Sequence, residues 1–300
     1  MNRLHYILIA ALLLVPGFSR AQQDPLYSQY YNNPMLINPA FAGSLERLYA
    51  GFAYRSQWSG VEGGPVTSSF NAHTSLVNNT VGVGMLVVQD QLGDIKNTQY
   101  GGVASYRIRL NKSVFSFGMQ AGFTRFATDP TAVQVMNNPD PAFNQFTETN
   151  FNTGVGVLLQ SEKYSIGLSM PRMLASTASQ GGQSIQVYSQ NFYLFGSYVF
   201  NVGEKIQFRP STLIRATAST PLSADINAIF TINRLYSAGL FTRQFDAYGI
   251  LAQAVFSNFR LGYVFEVPGK GSALGFSTHE ISLSFSLDVL RAHNHYVNGL

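Results

Sequence analysis

The 300-residue chain contains no cysteine. That excludes a disulfide scaffold, a thiolate metal site and a cysteine-linked lipid anchor together. Charge is scarce as well: Asp, Glu, Lys and Arg make up 11% of residues, where soluble domains carry about 25%. A water-soluble fold would struggle to cover its surface with so few. Long apolar runs are missing too. After Ala21 no stretch approaches the roughly 20 apolar residues that a membrane-spanning helix needs. Mean hydropathy is only +0.05, because apolar and polar residues are finely mixed, as alternating strands require.

Familiar catalytic motifs are absent. The sequence has no Gly-x-Ser-x-Gly elbow, no P-loop and no His-Glu-x-x-His helix. Gly82-Val83-Gly84 and Gly154-Val155-Gly156 fall inside strand-like runs rather than in turns that open helices, so they are not phosphate cradles. Outside the N-terminal leader the histidines are His73, His279, His293 and His295. The last two form His-Asn-His without a third ligand nearby. The reading is therefore non-enzymatic, with no cofactor and no metal. A barrel enzyme assembled across strands is the alternative, and it would rest on His73, His279 and Ser282.

The N-terminus has the form of a secretory signal peptide, residues 1–21. Arg3 precedes the apolar run from Tyr6 to Val15, and Ser19-Arg20-Ala21 supplies the small residues of a cleavage site. A run of about ten apolar residues is too short to be a membrane anchor. Arg3 and Arg20 account for two of the 19 basic residues, which leaves 17 against 15 acidic. Such a near-balance gives no basic surface for nucleic acid.

From Arg47 onward the chain falls into fourteen strand-like runs, near 47–57, 65–76, 80–89, 96–110, 113–126, 151–160, 163–171, 190–201, 205–216, 223–233, 235–243, 246–256, 258–267 and 278–288. Phe115, Phe117, Met119, Ala121 and Phe123 alternate with Ser116, Gly118, Gln120, Gly122 and Thr124. Ile281, Leu283, Phe285 and Leu287 alternate with Glu280, Ser282, Ser284 and Ser286. A soluble sandwich shows similar alternation, so the connections decide. Tight ones (77–79, 111–112, 161–162, 202–204, 234 and 257) alternate with a set that includes much longer ones, 127–150, 172–189, 217–222 and 268–277. Outer-membrane barrels pair short periplasmic turns with long outer loops. The expectation is an all-β fold: a transmembrane antiparallel barrel of about 14 strands over 47–288, in the outer membrane, with a periplasmic tail at 289–300.

A barrel of this width is not filled by its own side chains. Residues 22–46 supply a candidate filling. Asp24-Pro25, Asn33-Pro34 and Asn38-Pro39 favour turn or extended geometry. Between them Tyr27, Tyr30, Tyr31, Met35, Leu36, Ile37 and Phe41 are too apolar for a solvated linker. The segment is expected to plug the lumen, bonded to inward Arg55, Arg107, Arg109, Asp225 and Glu280, or to lie under the barrel as a periplasmic arm. The proline-stiffened loop 127–150 is a candidate contact surface.

These residues also carry a resemblance. The stretch QQDPLYSQYYNNPMLINPAFAGS resembles the opening of the PorP/SprF family of outer-membrane proteins, with its DPxxSQY-like, N-P and INPAxAG-like runs. Asp24, Pro25, Tyr27, Ser28, Gln29, Tyr30, Asn33, Pro34, Asn38, Pro39, Ala40, Ala42 and Gly43 match it. Arg55, Gln57 and Trp58 resemble the family's R-x-Q-W segment. Gly167–Pro171 resembles its G-L-S-x-P strand end, Lys205–Ser211 its K-I-x-F-x-P-S run, and Pro221–Asp225 its P-x-x-x-D segment. His279 and Glu280 stand in a closing S-x-H-E strand. Family members usually stop soon after that strand, whereas this chain continues to Leu300.

The resemblance implies a role in type IX secretion and gliding motility, without catalysis. Implied partners are a secreted cargo such as an adhesin, at the outer loops, and secretion components at the periplasmic rim, with outer-membrane lipid around the wall. It implies packing and turn roles for Asp24, Pro25, Asn38, Pro39 and Trp58. The alternative function is a channel or transporter for small or hydrophobic solutes.

Overall fold

Where alternate residues are apolar and the others small or polar, a strand is stable only between an oily and a polar surface. The computed structural model realises this along nearly the whole chain. The structure describes residues 30–128, 145–180, 183–188, 190–217, 220–269 and 275–288. The leader, Asp24, Pro25, Tyr27, Ser28, Gln29, most of the 127–150 loop and the 289–300 tail with His293 and His295 lie outside them.

The strands are β1 Leu48–Ser56, β2 Val66–Leu76, β3 Val81–Leu92, β4 Ile95–Arg109, β5 Val114–Thr128, β6 Phe146–Gln160 and β7 Tyr164–Met170. They continue as β8 Ser176–Gln180, β9 Gln183–Tyr188, β10 Asn191–Tyr198, β11 Phe200–Val202, β12 Ile206–Thr217 and β13 Thr220–Ile232. The last four are β14 Tyr236–Arg243, β15 Ala247–Phe256, β16 Phe259–Pro268 and β17 Thr278–Leu287. All barrel pairings are antiparallel between neighbours, and β1 pairs with β17 to close the cylinder. β10 bridges β7 and β12, and with β11 it makes one stave interrupted at Val199. The closed barrel therefore has 14 staves. β8 and β9 pair only with each other, in a hairpin within the β7–β10 connection.

Outward positions are oily and exposed: Phe117 48%, Met119 60%, Phe123 54%, Ile281 51%. Their inward neighbours Ser116, Gln120, Thr124, Glu280 and Ser282 are buried. This is the reverse of a soluble sandwich, whose apolar faces meet inside.

The connections differ from expectation at three places, one being the β8–β9 hairpin inside the expected loop 172–189. The expected loop 217–222 is mostly strand, since the ladder runs on through Thr217↔Thr220 after an irregularity at Arg215/Thr217. The β5–β6 hairpin likewise extends to Thr128↔Phe146. Threonines and an edge-on Phe126–Phe146 contact, 6.3 Å between ring centroids, favour strand there. At the other end the turns are tight. Asn233 and Arg234 take φ of 53° and 59°, as a type I′ hairpin turn demands of its two central residues.

The outward assignment has a direct consequence. Met119→Arg should destabilise the folded barrel in a bilayer by about 2–4 kcal/mol if the position is near the midplane, read by reversible urea unfolding in liposomes. Met119→Leu should be nearly neutral.

Candidate functional site: the occupied lumen

Each Asn-Pro step starts a short turn of 3-10 helix, η1 Pro34–Leu36 and η2 Pro39–Phe41. Proline suits the first position because its missing N–H would be unpaired there anyway. Asn38 does two jobs. Its Oδ1 accepts from Ala40 N at 2.9 Å, capping η2, while its Nδ2 donates to Val157 O in β6 at 3.0 Å. The turns compress the chain into the barrel, where Tyr30, Met35, Ile37, Ala40, Phe41 and Ala42 are all at most 1% exposed.

The wall accommodates this segment by shape. A Cβ on Gly118 would collide with the backbone of Pro39 and Ala40, and one on Gly82 with Ala42. Gly43 has φ +72° and lies close against the backbone of β2 and β3, a conformation and clearance that suit only glycine. Inward Leu86, Val88, Val103, Leu158, Tyr193, Phe195 and Leu213 join the segment in one apolar core. Phe195 meets both Tyr30 and Phe41 edge-on, at 6.1 and 5.9 Å between centroids. On the outer face behind Gly118 and Gly156 the wall is concave, an apolar depression of about 680 Å³ between Tyr106, Phe117, Met119, Leu168 and Phe192.

Hydrogen bonds, most of them between neutral groups, fix the segment from all round the wall. Ser169 Oγ donates to Ile37 O at 2.6 Å and Ser105 Oγ to Ala42 O at 2.7 Å. Gly43 N donates to His73 Nδ1 at 3.2 Å, so the proton of that ring is on Nε2. Tyr49 Oη donates towards Asn33 Oδ1 at 2.7 Å and Asn32 O at 2.8 Å. Gln253 bonds Asn32, Asn227 bonds the Tyr30 hydroxyl, and Arg209 reaches Tyr31. Burial first, then the nearby Asp225 carboxylate, push the Tyr30 phenol above its usual range, so it stays neutral. Among the described residues one ion pair joins segment to wall, Glu46 to Arg107 at 3.2 Å, with Asn79 bonded to both.

Among the described residues the other inward charges, Arg55, Asp225 and Glu280, have partners within the wall. Arg55 bonds Glu280 and Glu266, each at 3.2 Å, and Arg243 bonds Asp225 and Glu266, each at 3.3 Å. All five are at most 8% exposed and sit near the long-loop ends of their strands, whereas Tyr49 and Arg107 lie towards the short-turn end. Removing one member would strand a buried charge, at about 3–5 kcal/mol. Arg109 donates to Asn78 O at 2.9 Å instead of to the segment.

The remaining motif residues are scattered. Gln57 and Trp58 are in the first outer loop, where Gln57 N donates to Pro65 O at 2.8 Å and Trp58 has φ 54°. His279 is beside outward Tyr263 (2.7 Å to its hydroxyl), away from inward Glu280 and from His73. Thus His73, His279 and Ser282 form no common constellation: Ser282 accepts from Asn32 at 3.3 Å. Among the described residues no cluster of three or more His, Asp or Glu is placed to hold a metal. The inward apolar partners were missed by sequence reasoning. Their signal is a lapse in alternation, as where Leu86 and Val88 fall on the face shared with Gly82 and Gly84.

The close approach at Gly118 can be checked. Gly118→Val should unseat the segment, so that chymotrypsin cleaves near Tyr31 and Phe41 while the barrel stays resistant. Cleavage unchanged from the parent protein would contradict the packing.

A search of curated proteins gave no match to this sequence. In fold the chain is similar to the Ralstonia pickettii toluene transporter TbuX, with a TM-score of 0.52 at 10% identity, over 85% of this chain and 92% of that one. The Acinetobacter baumannii outer membrane protein Omp33 aligns with a TM-score of 0.49 at 8% identity, over 81% and 99%. At such identities the likeness to TbuX concerns architecture alone, a closed antiparallel barrel. A family model described as type IX secretion system membrane protein PorP/SprF matches residues 19–285. Spanning most of the chain, that match makes this protein a member of the PorP/SprF family.

Proposed function

We propose that the protein is a non-enzymatic outer-membrane partner in type IX secretion that assists export or surface attachment of one secreted protein, such as an adhesin. Family membership supports the link to secretion. The observation that carries the reading further is the filled lumen. Met35, Ile37 and Phe41 are packed against Phe195 and other inward apolar side chains, with no more than 1% of each exposed. A solute channel needs a continuous polar path through the wall. Here that path is obstructed by the chain itself, which leaves the outer loops and rims as the working surfaces. Contacts to cargo are assigned to the outer loops, and contacts to secretion components to the short-turn rim. The histidines support a non-catalytic role because His73 holds the segment and His279 bonds Tyr263 and Ser277.

Deleting the protein from cells should abolish surface display of one exported protein while others persist. The purified barrel should be silent in a planar bilayer and conduct once residues 22–44 are removed. Normal secretion with lost solute uptake, together with steady conductance of the intact protein, would instead establish a channel.

A further inference from the structure

One seam of the barrel is incomplete. β6 pairs with β5 along all 15 of its residues but with β7 only over Val155–Gln160. The cause is Pro171. It has no N–H to continue the ladder, and the chain turns into the lumen there. Pro171 O accepts from Gln120 Nε2 at 2.6 Å, its backbone fills the space over inward Gly154, and Arg172 behind it is buried. The chain then seals the β6 edge as far as Thr153, whose carbonyl accepts from Met173 N at 2.8 Å. The Asn152 amide bonds Met173 and Leu174.

Beyond that point, among the described residues, no strand is laddered to Thr147, Thr149 or Phe151 on this side. β8 lies near β6 yet pairs only with β9. Thr153 O faces the open side, and β6 keeps register with β5 without a bulge. In an antiparallel ladder that parity points the N–H and C=O of Thr147, Thr149 and Phe151 the same way. The stretch is at the long-loop end of the barrel, outside the cell by the barrel rule. Its aromatic and β-branched side chains favour strand. Of the devices that blunt a free edge it carries one charge, Glu148, and no proline, lysine or bulge.

We infer that the β6 edge from Phe146 to Phe151 docks an extended strand of the exported protein, by β-augmentation on the outer side of the wall. A row of alternating backbone donors and acceptors at strand spacing is matched by another polypeptide backbone, and not by lipid or a small solute. The identity of the partner rests on the secretion reading. The edge itself rests on register alone.

The test uses the full-length protein in nanodiscs. The probe is a capped octapeptide of alternating Thr and Val, with the same peptide N-methylated at alternate residues as control. The Thr-Val peptide should bind and slow amide exchange at Thr147, Thr149 and Phe151 by about tenfold or more, with β5 amides unchanged. N-methylation of the probe, or Thr149→Pro in the barrel, should each weaken binding about tenfold, as expected for one or two lost backbone hydrogen bonds. Thr149→Val, which keeps the N–H, should bind as the parent does. Absence of binding, or equal binding of the N-methylated probe, overturns the inference. So does protection of those three amides before any peptide is added, which would mean that the chain covers its own edge. If Thr149→Pro does not fold, the N-methyl comparison on the unaltered protein decides. Loss of surface display on deletion, without peptide binding, would remove this docking edge and leave the secretion role standing.

Discussion

In hydrocarbon no water is available to bond a free N–H or C=O, so each backbone polar group in the bilayer must find its partner within the protein. For strands the general solution is closure, and here β1 meets β17 in register from Leu48↔Leu287 to Ser56↔His279. Closure in turn creates an interior that must be filled. Fourteen staves enclose more volume than their own side chains occupy, and the interior face of the wall is largely Gly, Ser, Asn and Thr. Small inward residues leave room for another length of chain. Residues 30–46 take that room with their backbone against the wall at Gly82 and Gly118.

The lumen divides into two chemistries. The segment is held largely by neutral amide, hydroxyl and carbonyl bonds and by apolar contact with Leu86, Phe195 and Leu213. Towards the outer end two arginines and three carboxylates satisfy one another across β1, β17, β16, β14 and β13. The ion network therefore braces the wall by pairs between its staves. Outside, β6 rises past the end of β7 because Pro171 diverts the chain inward, so one proline both caps the filled lumen and bares a strand edge.

Much of this was legible in the sequence because the two environments of a membrane strand differ so sharply. Phe117 and Met119 against Gly118 and Gln120 leave no doubt about which face meets lipid, and strand bounds agree with the periodicity within a few residues. The loop at 217–222 misled because Thr217 and Thr220 suit strand and loop equally in composition. Side-chain partnerships were harder. Arg55 and Glu280 are 225 residues apart, and their adjacency comes from ring closure, which periodicity reports only once the strand count is taken literally. Inward charges suggested bonds to the segment, and Arg55, Asp225 and Glu280 also find partners on other staves. Phe195 and Leu213 broke the alternation in β10 and β12, a visible mark of an apolar object inside. Gly167–Pro171 read as a strand end, and it is one. That the chain beyond it dives inward depends on Gly154 and Gln120, which no local pattern links to Pro171.

Seating of the N-terminal segment inside the wall is the claim on which the functional account turns, and the chain's lack of cysteine makes it directly testable. Asn38 and Gly156 are the pair to join, since a Cβ on Gly156 would lie 2.9 Å from Asn38 Cγ, a spacing compatible with a disulfide. In membranes, Asn38→Cys with Gly156→Cys should cross-link on mild oxidation to near completion, seen as a shifted band after proteolysis between them. Asn38→Cys with outward Met119→Cys should not. Failure of the first pair in a folded barrel, or equal cross-linking of the second, would contradict an occupied lumen.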